Sequence, residues 1–327
     1  MKIKKVIIFM IAILFVALSL NASAFSNKYE EDDIINYLSG DADSNNLLTA
    51  ADARLILRAS AKLEKLQTEV IAICDVNNDL KITSVDARLI LRKAAKLENE
   101  ITADIKMSKI PVNEQNYQIN SYETREMFDL ESVITADNKY NTIIVKGKIV
   151  NLEEYEISWT DENNETWGPF SRSIITVETD TVYHGNFKSE KNTIKILYPH
   201  SLSEVCDESV KIEKGKEYVF ANCWMLDEKY EEQNKDALFY GYDKSIVLAD
   251  AIIGGAWNSM MPVEGNTVTL YHGYLNDVAD VDKKIIPFKT DNATRLTNSE
   301  SLKSGYFISV DIEDFEKDLS EIISSFF

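Results

Sequence analysis

Residues 41–64 of this 327-residue chain return 34 positions later as residues 75–98. The first copy opens Asp41-Ala-Asp43-Ser-Asn45-Asn46-Leu47-Leu48-Thr49-Ala50-Ala51-Asp52, the second Asp75-Val-Asn77-Asn-Asp79-Leu80-Lys81-Ile82-Thr83-Ser84-Val85-Asp86. Over the thirteen positions that begin at Asp52 and at Asp86, eleven are identical. A repeat this faithful requires two equivalent local structures, and its chemistry is concentrated in the loops.

Oxygen donors at positions 1, 3, 5, 7 and 12 of a twelve-residue loop, with position 9 acting through water, are what a hard cation of calcium's size takes. Each loop has three carboxylates: Asp41, Asp43 and Asp52, then Asp75, Asp79 and Asp86. Without a cation they repel one another. Asn45 and Asn77 complete the side-chain set, the carbonyls of Leu47 and Lys81 fill position 7, and Thr49 and Thr83 stand at position 9. Each Thr also lies three residues before an Asp, the capping pattern that satisfies the N–H groups of a first helical turn. Ala53, Ile56, Ser60 and Leu63 then recur at helical spacing, as do Ala87, Ile90, Ala94 and Leu97, so each helix is expected to turn a small apolar face to a core.

Two features separate these loops from an ordinary EF-hand pair. Position 12 is Asp rather than Glu, and no clear helix precedes either loop. With its spacing, ligand types, repeat offset and following helix, the stretch 40–98 resembles a type I dockerin. That is the duplicated calcium module by which secreted enzymes of anaerobic bacteria plug into cohesin domains on the scaffold protein of cellulosome-type assemblies. The resemblance implies two calcium sites. It also implies a cohesin contact through loop positions 10 and 11 and a Leu-Arg-x-x-x-Lys stretch, here Ala50, Ala51, Leu57, Arg58 and Lys62. The second copy supplies Ser84, Val85, Leu91, Arg92 and Lys96, and two near-identical faces imply binding in either of two orientations related by a half-turn. One departure concerns loop position 6, usually Gly in the family and here Asn46 and Leu80. A branched side chain in a left-handed conformation costs roughly 1 kcal/mol, so the second site is expected to hold calcium more weakly.

The rest of the chain is read around this module. Residues 1–24 have Lys2, Lys4 and Lys5, an apolar run to Leu20 and Ala22-Ser23-Ala24, the pattern of a secretory signal. The run is short for a membrane span, and none is expected after signal removal, so the protein is expected to be extracellular. A lead-in occupies 25–39, a link 99–118 and a further body 119–327, with a possible sub-boundary near 230–245. The formal charge is −19, but residues 40–98 balance nine acids with nine bases, so the acidity lies mainly in the body. An acidic body argues against a nucleic-acid partner, whose phosphates require Lys and Arg. Cys206 and Cys223 are spaced so that they could pair across strands, leaving Cys74 odd.

The body reads as mainly β, making the whole an α+β multidomain chain with a small helical calcium module in front. Strands are expected over 142–151, 173–183, 193–198 and 217–226, with further runs at 237–242, 245–253, 267–272 and 284–289. Helices are expected at 121–136 and 312–326. The order from 122 to 226, with Gly147, Gly185 and Gly215 at bends, resembles the OB-like barrel of many secreted proteins of Gram-positive bacteria, a likeness that carries no activity.

No catalytic motif stands out. His184, His200 and His272 lack zinc spacing, Gly254-Gly255-Ala-Trp257-Asn-Ser259 is not a nucleophile elbow, and Asp161, Glu162 and Glu165 form an acidic loop of the kind that is usually solvated. Aromatic side chains favour binding over catalysis: Trp159 and Trp167 flank that loop and are the leading candidates to stack on a sugar, with Trp224, Trp257, Tyr240, Tyr242, Tyr271 and Tyr274 behind them. Three functions remain open: a docked carbohydrate-binding component serving polysaccharide degradation, a docked polysaccharide hydrolase with an unfamiliar site, and a docked inhibitor or structural module.

Overall fold

The computed structural model describes residues 34–97, 104–112, 118–119, 140–160, 165–187, 192–202, 204–205, 211–234, 244–253, 259–271, 294–296 and 307–327. The expected helix at 121–136, the strands at 237–242 and 284–289, and the signal at 1–24 lie outside them. Among the described residues the protein is mixed α and β, mostly β, with five α-helices.

Two long strands organise it. Strand β3 (Thr142–Thr160) and β4 (Thr166–His184) form a hairpin that serves two cores in succession. Near its base, Ile143, Val145, Ile149, Ile175 and Val177 fill a barrel closed by β5 (Thr193–Tyr198), β6 (Glu217–Met225) and β7 (Ala251–Ile253). Neighbours around it run β3-β4-β5-β7-β6 and back to β3. All contacts are antiparallel except β5 with β7. This is a five-stranded barrel, as the OB-like pattern implied. Gly147 is required where β3 bends against β4, because a Cβ there would sit 2.3 Å from the Glu178 carbonyl oxygen.

Toward its tip the hairpin leaves the barrel and continues as an arm. Tyr155, Ile157 and Trp159 alternate onto one face of β3, and β2 (Asp104–Ile110) pairs alongside with Ile105 and Met107 on that same face. β1 (Ile35–Leu38) pairs with β2 at the sheet edge. The stretch 99–118, expected as a link, thus holds a strand inside the sheet. Ile105 and Met107 alternate with polar residues in the period of a half-buried strand, a signal masked by the two lysines between and after them.

Helices α1 (Ala50–Ser60), α2 (Thr68–Cys74) and α3 (Ser84–Ala94) cover the apolar face of the arm. Ala53, Ile56, Ala87 and Ile90 from the repeats, Val70, Ala72, Ile73 and Cys74 from α2, and Ile105, Met107, Tyr155, Ile157 and Trp159 from the sheet belong to one buried cluster. Residues 35–327 accordingly form one compact unit. α2 is the helix before the second loop that the sequence did not reveal. Leu63 and Leu97, expected on core faces, are 69% and 71% exposed. The helices stop at Ser60 and Ala94, and Lys62 and Lys96 take φ of +58° and +56°. That turn swings each leucine away from the core.

Beyond the barrel, β8 (Met260–Glu264), β9 (Thr267–Tyr271), β10 (Thr294–Leu296) and β11 (Phe307–Asp311) extend the sheet from β6. α4 (Glu228–Asn234) follows β6, and α5 (Ile312–Phe326) buries Phe315, Leu319 and Ile322 against the outer barrel face. The expected strand run over 245–253 divides into a 3-10 turn, Lys244–Leu248, and the shorter β7. Cys223 is a free, buried thiol, so it makes no bridge; Cys206 lies outside the described residues.

Candidate metal centre

The two loops fold alike, residue by residue. Positions 4 and 6 are left-handed in both: Ser44 at +56° and Asn46 at +62°, Asn78 at +60° and Leu80 at +60°. These turns point successive N–H groups inward, where they meet the first carboxylate of the loop. Asp41 accepts from Asn45 and Asn46 at 3.2 and 2.7 Å, and Asp75 from Asp79 and Leu80 at 3.1 and 3.0 Å. The last carboxylate ties the loop shut from the other end. Asp52 accepts from the N–H groups of Ala42, Asp43 and Thr49 and from the Thr49 hydroxyl; Asp86 repeats this with Val76, Asn77 and Thr83. Both Asp–Thr pairs are complete capping boxes.

Leu80 occupies a conformation that suits glycine because its side chain is not idle. It packs against the shared core, whereas its counterpart Asn46 is exposed. Burial of half a leucine contributes about 1 kcal/mol, which offsets a left-handed penalty of roughly 1 kcal/mol.

Carboxylate oxygens of Asp41, Asp43 and Asp52 lie within 4.8 Å of one another, as do those of Asp75, Asp79 and Asp86. An ion bound at 2.3–2.6 Å reaches oxygens up to about 5 Å apart, so the spacing of each trio has room for one calcium-sized cation. All donors are hard oxygens, with no thiol or imidazole among them. Asp41 keeps lone pairs beyond its two hydrogen bonds; Asp52 and Asp86 accept four, so a cation must share an oxygen there or turn the Thr hydroxyl aside. Asn45 accepts from Leu47 N–H, and Asn77 donates to the Asp79 carboxylate and accepts from its N–H. Leu47 and Lys81 lie on the exposed arc.

No family model, curated protein or solved structure matches the chain. The site is therefore judged on its own chemistry. Burial raises the Asp41 carboxyl above the ordinary carboxylate value, with Asp52 and Asp43 adding to the effect against the N–H groups of Asn46 and Asn45. Burial raises Asp86 likewise, against its bonds to Thr83 and with Asp75 adding to it. Such groups compete for protons sooner than free carboxyls as pH falls. Metal-free, they oppose folding as pH rises through their raised values, because the unfolded chain ionises them more easily. Mild acidification should therefore relieve the metal-free loops while weakening calcium affinity; calcium titrations followed by tryptophan fluorescence across the acid range check this, and a pH-independent affinity would contradict it.

The residues assigned to partner contact occupy equivalent surface positions. Ala50, Leu57, Arg58 and Lys62 in one copy and Ser84, Val85, Leu91, Arg92 and Lys96 in the other are exposed, with Ala51 half-buried. Leu57 and Leu91 are 51% and 47% exposed. Arg58 pairs with Glu64 at 3.3 Å across the turn that ends its helix.

The aromatic candidates separate. Trp159 and Trp167 face each other across the β3–β4 hairpin, but Trp159 is 3% exposed and stacks on Phe170 at 5.2 Å, while Trp167 is 47% exposed. Trp159 therefore has no open ring face for a sugar. Trp224 packs against Tyr140 at 4.7 Å, and Trp257, Tyr240, Tyr242 and Tyr274 lie outside the described residues. Among other groups singled out, Ser259 is buried, His184 stacks on Phe327 at 3.9 Å, and His200 sits edge-on to Tyr198. Burial lowers both histidines, and with Arg172 nearby it takes His200 down to about 4. His272, Asp161 and Glu162 lie outside the described residues. Among those described, no helix is long and apolar enough to cross a membrane.

Proposed function

We propose that this chain is a secreted component of a cellulosome-like complex, which docks onto a cohesin through a calcium-loaded, type I dockerin-like module at residues 40–98. Both loops take calcium, the left-handed cost of Leu80 being offset by its packing on the shared core. The β body contributes to polysaccharide degradation as a binding component, with Trp167 as its exposed aromatic contact. The observation that carries the docking reading is the equivalence of the two copies: the same buried carboxylate ties, the same left-handed positions and the same exposed Leu-Arg-x-x-x-Lys stripe.

Two equivalent stripes give a specific expectation for partner binding. In calcium, the full chain binds a type I cohesin drawn from a panel, and chelation with EGTA abolishes it. Alanine at Leu57 and Arg58 alone, or at Leu91 and Arg92 alone, leaves binding in place because the chain turns to its other face. All four together reduce affinity at least about 100-fold, the effect of losing central anchors. Surface plasmon resonance reads these outcomes; no binding to any cohesin in calcium, or binding indifferent to EGTA, sinks the proposal.

A further inference from the structure

The shared core beneath the loops has a consequence for how calcium acts. We propose that cation occupancy of the duplicated loops and ordering of the sheet arm are a single cooperative equilibrium, transmitted through helix α2. This rests on the reading of the loops as calcium sites.

α2 meets both loops at one point. Its last residue, Cys74, precedes Asp75, and its Ile73 carbonyl accepts from Gly40 N–H at 2.9 Å, one residue before Asp41. The opening carboxylate of each loop is therefore held by the same end of the same seven-residue helix. Gly40 leaves little slack there: with φ of +86°, a Cβ on it would lie 2.9 Å from Leu48 and 3.1 Å from Ile90, residues of the first loop and of α3.

The other end of the transmission is the sheet. Val70, Ala72, Ile73 and Cys74 are buried in the cluster that holds Ile105 and Met107 of β2 and Tyr155, Ile157 and Trp159 of β3. At the margin of that cluster the Tyr155 hydroxyl donates to Glu69 of α2 at 3.0 Å, and Glu153 beside it pairs with Lys109 of β2. A helix this short is marginal alone. Its order comes from strands β1 and β2 and the 3-10 turn Lys244–Leu248 below and from the loops above, so an opening that frees Asp41 and Asp75 also uncovers the shared core that holds Ile105 and Met107. Close packing makes such a unit open as a whole rather than by degrees.

A ligand bound only to the closed form suppresses opening by one plus its concentration over its dissociation constant, about 100-fold at one hundred times that constant. Hydrogen exchange by mass spectrometry on the full chain, in calcium and in EGTA, reads this directly. Exchange in 104–110 and 154–160 is expected to slow in calcium by about the same 100-fold as in α2, with the barrel stretch 143–149 changing less. Calorimetry on the same sample reports calcium uptake. Uptake with protection that ends at residue 97 and leaves the arm unchanged overturns the coupling while sparing the calcium sites. No uptake overturns both.

Discussion

Alanine at Asp52 and Asp86 together is expected to lower calcium affinity at least about 100-fold, since loss of even an outer-shell partner commonly costs a metal site 10–100-fold. Stability should fall as well, and in EGTA, where no metal is involved. Each carboxylate holds a capping box whose loss costs about 1 kcal/mol. Each also satisfies a buried backbone N–H, of Ala42 or Val76, and an orphaned donor of that kind costs about 1–3 kcal/mol. Release of repulsion among the remaining acids offsets part of this, so roughly 2–5 kcal/mol is expected for the pair. Asn at the same positions separates the two roles. Its Oδ1 still accepts from Ala42 or Val76, but its amide faces the N–H of Thr49 or Thr83 and brings no charge to the cation. Asn variants should therefore lose calcium with a smaller loss of stability. Titration calorimetry and urea denaturation in EGTA measure the two effects; alanine variants that keep calcium within about tenfold would show that these carboxylates are not ligands.

The parts of this architecture that were legible in the sequence are those set by local chemistry. The loops announce themselves because Asp, Asn and Thr at fixed intervals form their own hydrogen bonds within twelve residues, and Leu80 or Asn46 at position 6 does not alter the turn. The barrel strands show because β-branched residues alternate between Gly bends. What sequence reasoning missed is set by distant partners. Thr68–Cys74 carries four β-branched residues among its seven and no side-chain cap, so nothing local favours a helix there; burial against the 3-10 turn Lys244–Leu248 and strands β1 and β2 does. The acidic run Glu153-Glu154-Tyr155-Glu156 hid the second half of β3, because three acids read as a solvated loop. Glu153 is instead paired with Lys109, and Glu154 is buried with the Ser201 hydroxyl on it. Charges with assigned partners look the same in a sequence as charges without.

Trp159 shows the same ambiguity in its sharpest form, and its truncation has the other large expected effect. As neighbours of a polar loop, Trp159 and Trp167 are equivalent in the sequence; in the fold one is a core residue and the other a surface residue. Trp159→Ala should destabilise the chain by about 3–5 kcal/mol, the cost of a large aromatic removed from a packed core. Trp167→Ala should stay within about 0.5 kcal/mol, as exposed positions do. Because Trp159 belongs to the cluster shared by the helices and the arm, the loss should appear equally in far-ultraviolet circular dichroism and in tyrosine emission, as one shifted urea transition. Two separated transitions would mean that the helices and the sheet do not rely on a common core. Glycan binding divides the residues the opposite way: if the exposed ring supplies a stacking surface, Trp167→Ala removes binding from a correctly folded chain. Trp159→Ala, assayed well below its denaturation midpoint, then retains it.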